Sequence, residues 1–370
     1  MQRDQYMTID GHSGVKLQDA NKVMDELLVR KQSRKTIYPE HVMDLDIRWF
    51  DQDRSHEKDG WYAKIDGTDM ILDPNAVRTA SKLIKSRSSY WQQFQDKNAF
   101  PASLRHILDN KKIPKHAEGR VCVRHNGKSV NAILHPLYEV RDAYDMLQPM
   151  LEEAESSIGE VRGISVIESS SGDIFSYRIV VGQNFIPQVS AQYGQYSMIL
   201  LYTSEVGACE SGTGQGMFRT SCTNSSILRA LMKTWNHLSD SEDFYSETHK
   251  NIRLCGYYQG QYAKIFGELL NTKLDVPGED LLKALLEERL ITSGHYDASA
   301  MYIDTPTEDG RPIQTQYDFF NVLTRGAQDI DSIVARQKAE SVAMTLFTDP
   351  GGVFEQIRKA ALERARLSGR

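Results

Sequence analysis

Between Ala76 and Lys128 the chain carries twelve lysines and arginines against three acids. That window is +9 in a protein whose net charge is −6, so the remaining residues sum to −15. A basic surface on an acidic protein focuses the attraction of a polyanion onto one place. Aromatic side chains are interleaved with the charge: Tyr90, Trp91 and Phe94 follow Lys85 and Arg87, while Arg120, Arg124 and Lys128 flank the sequence His125-Asn126-Gly127. Cations for phosphates and aromatic faces for bases are the means by which single-stranded nucleic acid is held. Lys85, Arg87, Arg120, Arg124 and Lys128 are therefore expected to contact phosphates, and Tyr90 and Trp91 to stack. The competing reading is a solvated basic face with Trp91 and Phe94 in the core.

A second chemical candidate is GTGQGMFRTSCTNSS, residues 212–226. It is not a Walker A loop, since no Gly-Lys-Ser/Thr follows, and the glycine spacing is not that of a dinucleotide fingerprint. The expectation is a wide hairpin turn at GTGQG between strands, with a helix opening near Asn224. Arg219, Thr223 and Asn224 would then form either an anion site at the helix N-terminus or a plain cap.

Catalytic constellations are weak. There is no His-Glu-x-x-His and no Gly-x-Ser-x-Gly, and Cys122, Cys209, Cys222 and Cys255 are scattered without a Cys-x-x-Cys pair. Asp69 and Asp73 with Lys64 are the best carboxylates for a metal-dependent nuclease, though solvated strand-end acids explain them as well. No catalytic residue, metal ligand or cofactor is assigned.

These residues need elements to position them. Residues 15–34 read as an amphipathic helix, and VMDLDIRWF (42–50) and WYAKIDGTDMILD (61–73) as strands, the latter with a turn at Asp-Gly. Pro74 opens a helix through about Phe94, with Val77, Ala80, Leu83 and Ile84 inward. Residues 119–134 read as a tight hairpin, a helix with a kink or break at Pro149 follows, and three strands come next. From Asn224, Ile227, Leu228, Leu231, Met232, Trp235 and Leu238 recur at helical spacing, and the rest is mostly helical. The class is α+β, with antiparallel hairpins in the first 220 residues and a helical last third. Three regions are expected: 1–74, 75–222 and 223–370.

The blocks YTSEVGACESGTGQGMFRTSCTNSSI, RVCVRHNGKSVNAILHPLYEVRDAYDML and TQYDFFNVLTRGAQDIDSIVARQKAE resemble a phage/plasmid-like protein family, domain of unknown function 932. The matching residues are Ser204, Glu205, Val206 and Gly207, then Phe218, Arg219, Cys222, Thr223 and Asn224, and finally Asn321, Thr324, Ala327 and Gln328. The resemblance spans about residues 75–345; Ser225 departs from the family's usual glycine. It implies a gene carried by a phage, prophage or plasmid and supplies no activity. The resulting expectation is a protein of the host bacterial cytoplasm that binds single-stranded DNA in replication or recombination, with no membrane partner. The alternatives are a protein-interaction factor using the aromatic helix around Tyr257, Tyr258, Tyr262 and Phe266, a homo-oligomer held by complementary charge, and a metal-dependent nuclease.

Overall fold

The computed structural model describes residues 7–9, 12–15, 17–53, 56–112, 115, 117–169, 173–184, 195–219, 225–227, 233–235, 241–304, 313–349 and 352–367. A short hairpin, β1 (Met7–Ile9) and β2 (His12–Val15), precedes helix α1 (Ala20–Ser33), whose first turn is capped by the Asp19 carboxylate. The first six-stranded sheet contains β3 (Lys35–Ile37), β4 (Arg48–Phe50), β5 (Gly60–Ile65), β6 (Thr68–Leu72), β7 (Cys122–His125) and β8 (Ser129–Leu134). Its order is β3-β7-β8-β6-β5-β4, antiparallel except for the parallel pair β6–β8. The expected hairpins at Asp66-Gly67 and Asn126-Gly127 are both present, with Asp66, Gly67 and Gly127 at the positive φ such turns require.

Helices α2 (Pro74–Leu83), α3 (Ser88–Gln93) and α4 (Ala99–Asp109) follow β6, and α2 packs across β8. Val77 and Ala80 of α2 join Phe100 and Leu104 of α4 over Trp61, Ala63, Val123 and Ile133 of the sheet. The second sheet runs β13 (Ser225–Ile227), β12 (Ser211–Arg219), β11 (Gln195–Thr203), β10 (Phe175–Val181) and β9 (Val161–Glu168), all antiparallel, with β14 (Lys233–Trp235) also pairing β12. Its alternation is strict: Tyr177, Ile179 and Ile199 face α1, α5 (Ala143–Ser157) and α6 (Ser241–Asn271), while Val180, Met198 and Leu200 face the other way. On that second face Arg178 of β10 reaches Glu340 of α10 (Ile333–Thr348) at 2.7 Å. Helices α7 (Gly278–Glu287), α8 (Ser293–Ala300), α9 (Gln316–Gln328) and α11 (Val353–Leu367) complete a helical unit with its own core around Phe266, Phe319 and Phe320. The class is α+β, with both sheets before residue 240 and helices after it.

Several elements differ from expectation. Residues 42–45 form a 3-10 turn rather than a strand, because the Asp44 carboxylate accepts the His41 backbone N–H at 2.9 Å and closes a local turn in place of a ladder bond. The helix from Pro74 ends at Leu83: Ser86 N–H bonds Ser81 C=O at 2.9 Å and Lys85 N–H bonds Lys82 C=O at 3.0 Å, a Schellman end with Lys85 at φ 54°. The helix carrying Pro149 continues through it, and the Asp145 carbonyl that the proline leaves free faces the Tyr245 hydroxyl at 3.5 Å.

The glycine run is strand, not turn. Gly212, Gly214 and Gly216 lie opposite Tyr202, Leu200 and Met198, so their period of two is that of a buried strand with small residues on one face. The turn is instead 204–210. No helix opens at Asn224 in the described residues; strands Ser225–Ile227 and Lys233–Trp235 stand there, pairing with β12. The expected boundaries at 74 and 222 each cut a sheet, since β6 pairs β8 and β12 pairs β13. Among the described residues no helix is long and apolar enough to cross a membrane.

Candidate nucleic-acid interface

The two sheets meet at a buried polar junction that takes up part of the expected basic surface. Arg124 of β7 is 1% exposed and pairs with Asp142, just before α5, at 2.7 Å. Arg34, beyond α1, pairs with Glu205, whose other oxygen accepts the Ala143 N–H at 2.8 Å. Asn75 donates to the carbonyls of Val206 and Asn131, each at 2.9 Å. The Ser-Glu-Val-Gly block is thus a joint between sheets: Ser204 Oγ accepts the Ala208 N–H at 2.8 Å, and Gly207 sits at φ 68° where a Cβ would lie 2.5 Å from Leu134. Arg124 is accordingly withdrawn from the phosphate contacts, because a buried guanidinium held by a buried carboxylate presents nothing to solvent.

Trp91 is withdrawn from the stacking residues for a similar reason. It is buried against Phe100 in the first core, with ring centroids 5.6 Å apart. The exposed rings are Tyr90 and Phe94, 5.2 Å apart and four residues from one another on the same face of a single helical turn. Lys85 and Arg87 are exposed directly before them. Arg120 is half-buried; its Nη1 donates to the Lys111 carbonyl at 2.6 Å and the Leu108 carbonyl at 3.3 Å, closing the end of α4. Lys128 is exposed at the tip of the β7–β8 hairpin.

Eight of the twelve cations in this window are exposed: Lys82, Lys85, Arg87, Arg105, Lys111, Lys112, Lys115 and Lys128. None of them forms an ion pair with a carboxylate of the described residues. Lys82, Lys85, Lys111 and Lys112 gather at the C-terminal ends of α2 and α4, where the helix dipoles favour positive charge without any ligand. Lys111, Lys112, Arg120 and His135 line one small recess. Burial, then Lys111, holds the His135 imidazole below its ordinary pKa.

Beside this layer lies a cleft of about 830 Å³ at the end of the sheet where β6 stops and α2 begins. Its lining includes Trp49 and Trp61 from one face of the sheet, Tyr62 from the other, Gln92 of α3 and Lys128. Asp73 is half-buried where Glu57, Asp59 and Asp69 of the same lining are exposed, and its carboxylate caps α2 through Ala76 N–H at 2.9 Å and accepts from Asn131 Nδ2 at 2.9 Å. Burial pushes the Asp73 carboxyl above its ordinary pKa, outweighing those hydrogen bonds. Asp69 also lines the cleft, 3.7 Å from His56 Nε2, whereas Lys64 is outside the lining. Among the described residues no three His, Cys, Asp or Glu side chains converge to hold a metal ion.

Arg219 is buried at the end of β12, its guanidinium 5.6 Å from the Tyr317 ring. Thr223 and Asn224 lie outside the described residues, and the described residues that follow them, Ser225–Ile227, are strand and not the first turn of a helix. On α6, Tyr262 and Phe266 are core and Tyr257 is exposed. The exposure of Phe94 in place of Trp91 was readable only from the break at Lys85, and the cleft had no sequence signal because its walls come from separated strands. No protein-family model matches the chain, and no curated protein or solved structure matches it. The likeness to the phage/plasmid-like family therefore rests on the quoted motifs alone.

Proposed function

We propose that this protein binds single-stranded nucleic acid, specifically DNA, on the α2–α4 layer of its first sheet. The observation that carries the reading is the set of eight exposed cations between Lys82 and Lys128, unpaired among the described residues, in the same window as the exposed rings Tyr90 and Phe94. Lys85, Arg87, Lys111, Lys112 and Lys128 contact phosphates, and Tyr90 and Phe94 stack on bases. Unpaired lysines repel one another, and a polyanion relieves that repulsion while releasing its own counterions. By the motif resemblance, the setting is replication or recombination of a phage or plasmid in a bacterial cytoplasm.

Fluorescence anisotropy of a labelled single-stranded oligonucleotide from low to high salt tests this. A straight log–log decline with a slope of several units is expected, about 0.7 per phosphate contacted. Absence of binding at low salt overturns the reading; capture of a single stoichiometric protein partner in its place moves the surface to a protein-interaction role.

A further inference from the structure

The small recess at the ends of α2 and α4 differs from the open surface around it. Leu83, Leu108 and Pro136 give it apolar walls, and Lys111, Lys112, Arg120 and His135 supply every polar side chain of its lining, with no carboxylate among them. At about 20 Å³ it admits one water-sized atom, so a phosphate oxygen fits where a base or a sugar does not. Two of its polar groups are held in place by the fold. The Arg120 guanidinium is fixed by its bonds to the Lys111 and Leu108 carbonyls, and no carboxylate of the described residues pairs with it. His135 follows β8, and its Nδ1 accepts the Leu137 N–H at 3.2 Å. Burial and Lys111 favour the uncharged imidazole, and no carboxylate of the described residues acts on it. With Nδ1 an acceptor, the proton of the neutral ring is on Nε2, a donor that no described residue meets.

We infer that this recess seats one phosphate of the bound strand by a single non-bridging oxygen, with His135 donating to it from Nε2 and Lys111, Lys112 and Arg120 supplying the charge. This rests on the nucleic-acid reading above and adds to it a contact residue that carries no charge. The position suits the role: Leu83 is the last residue of α2, and Lys82 and Lys85 beside it are exposed cations, so a strand that crosses the ends of α2 and α4 passes the recess. Exposed lysines meet a phosphate as mobile point charges on flexible stems. The imidazole and the guanidinium are already ordered, so little freedom is lost when they bind. The recess is a fixed point for the strand among adjustable ones.

Two substitutions separate a donor to phosphate from a part of the turn. His135→Asn places a carbonyl oxygen where Nδ1 stands and keeps the bond from Leu137 N–H, but its side chain is too short to replace Nε2. His135→Gln carries an amide N–H out to the position of Nε2 and gives up the turn acceptor. Anisotropy of a labelled single-stranded oligonucleotide is measured over a salt series at neutral pH for the wild-type chain, both variants and Lys111→Ala. His135→Asn is expected to bind about tenfold more weakly, the loss of one hydrogen bond to a charged group. Its salt slope stays that of the wild type, because a neutral donor releases no counterion. His135→Gln stays within about threefold of the wild type, while Lys111→Ala lowers the slope by about 0.7. The opposite order, with His135→Gln weak and His135→Asn like the wild type, assigns His135 to the turn alone and overturns the inference while leaving the surface reading standing. Equal affinities in all three chains, or the same loss in both variants, overturn it as well. Failure of the wild-type chain to bind at low salt overturns the surface reading itself.

Discussion

The basic window from Ala76 to Lys128 and the C-terminal helices balance their surface charge differently. In the helical region some cations are matched to neighbouring acids, Lys283 to Glu279, Arg358 to Asp275 and Glu355, Arg364 to Glu287, and Lys250 to Glu247 on α6, while others such as Lys264, Lys273, Lys338 and Lys359 are exposed and unpaired among the described residues in a stretch that is also rich in acids. In the basic window eight exposed cations, six of them on or next to α2–α4 and the others at Lys115 and the β7–β8 hairpin, make no such pair with the described residues, and only three acids share the window. Exposed ion pairs contribute little to stability, so their presence in one region and absence in the other is not a difference in how firmly the two are folded. It is a difference in the field each presents to solvent. A balanced surface is short-ranged and neutral, whereas one with an excess of cations projects positive potential over about a Debye length, roughly 8 Å at physiological salt.

The sharpest way to break this comparison is to separate buried from exposed cations. Arg124→Ala strands the Asp142 carboxylate at the sheet junction and is expected to cost about 3–5 kcal/mol of stability, read from the urea midpoint, with the affinity of the remaining folded protein for DNA unchanged. The triple reversal Lys85→Glu, Lys111→Glu, Lys112→Glu does the converse. Stability stays near wild type, and oligonucleotide affinity at low salt falls on the order of a hundredfold, with the salt slope reduced by about 2. Lys85→Gly divides the two effects at one residue: relief of the left-handed backbone stabilises the end of α2 by about 1 kcal/mol, while loss of one cation weakens binding by roughly threefold. The smallest effect belongs to the paired region. Lys283→Ala is expected to change stability by less than about 0.5 kcal/mol and DNA affinity not at all.

Acid titration provides a separate check on the interior. Burial holds His125, His135 and His295 below their ordinary pKa, and His295 additionally faces the Leu323 carbonyl at 3.0 Å. Each binds a proton more readily unfolded than folded. The stability they contribute is complete above the unfolded value of about 6.5 and is lost as the pH falls through their lower folded values. The urea midpoint is therefore expected to drop between pH 7 and pH 5, and the drop to be smaller in His295→Gln.

Local chemistry was legible in the sequence wherever one short segment decided the outcome. Asp66-Gly67 and the glycine of Asn126-Gly127 announced their hairpins through the positive φ they accommodate, and Pro74 announced the start of α2. The glycines at 212, 214 and 216 misled because glycine is depleted in strands, and only the opposing Leu200 and Met198 explain why small residues suit that face. Arg124 was misread for a different reason. It lies on a hairpin that looks exposed, and its partner arrives from the start of a helix 18 residues later. The basic layer was visible as composition, but which of its rings faces water depended on a helix break at Lys85 that no glycine marks. The cleft was not visible, since β4, β5, β6 and the β7–β8 turn each contribute only part of it.

The bond between Arg34 and Glu205 spans 171 positions of the chain. During synthesis at about 5–20 residues per second, roughly ten to thirty seconds separate the making of those two residues. The first sheet has all its strands by Leu134 and can assemble within that interval, but α1 cannot take its final seat until Glu205 arrives to receive Arg34 and the start of α5. The joint between the sheets thus also sets a sequence of opportunity: the strands of the first sheet are all available before the glutamate that ties α1 to the second sheet has been made.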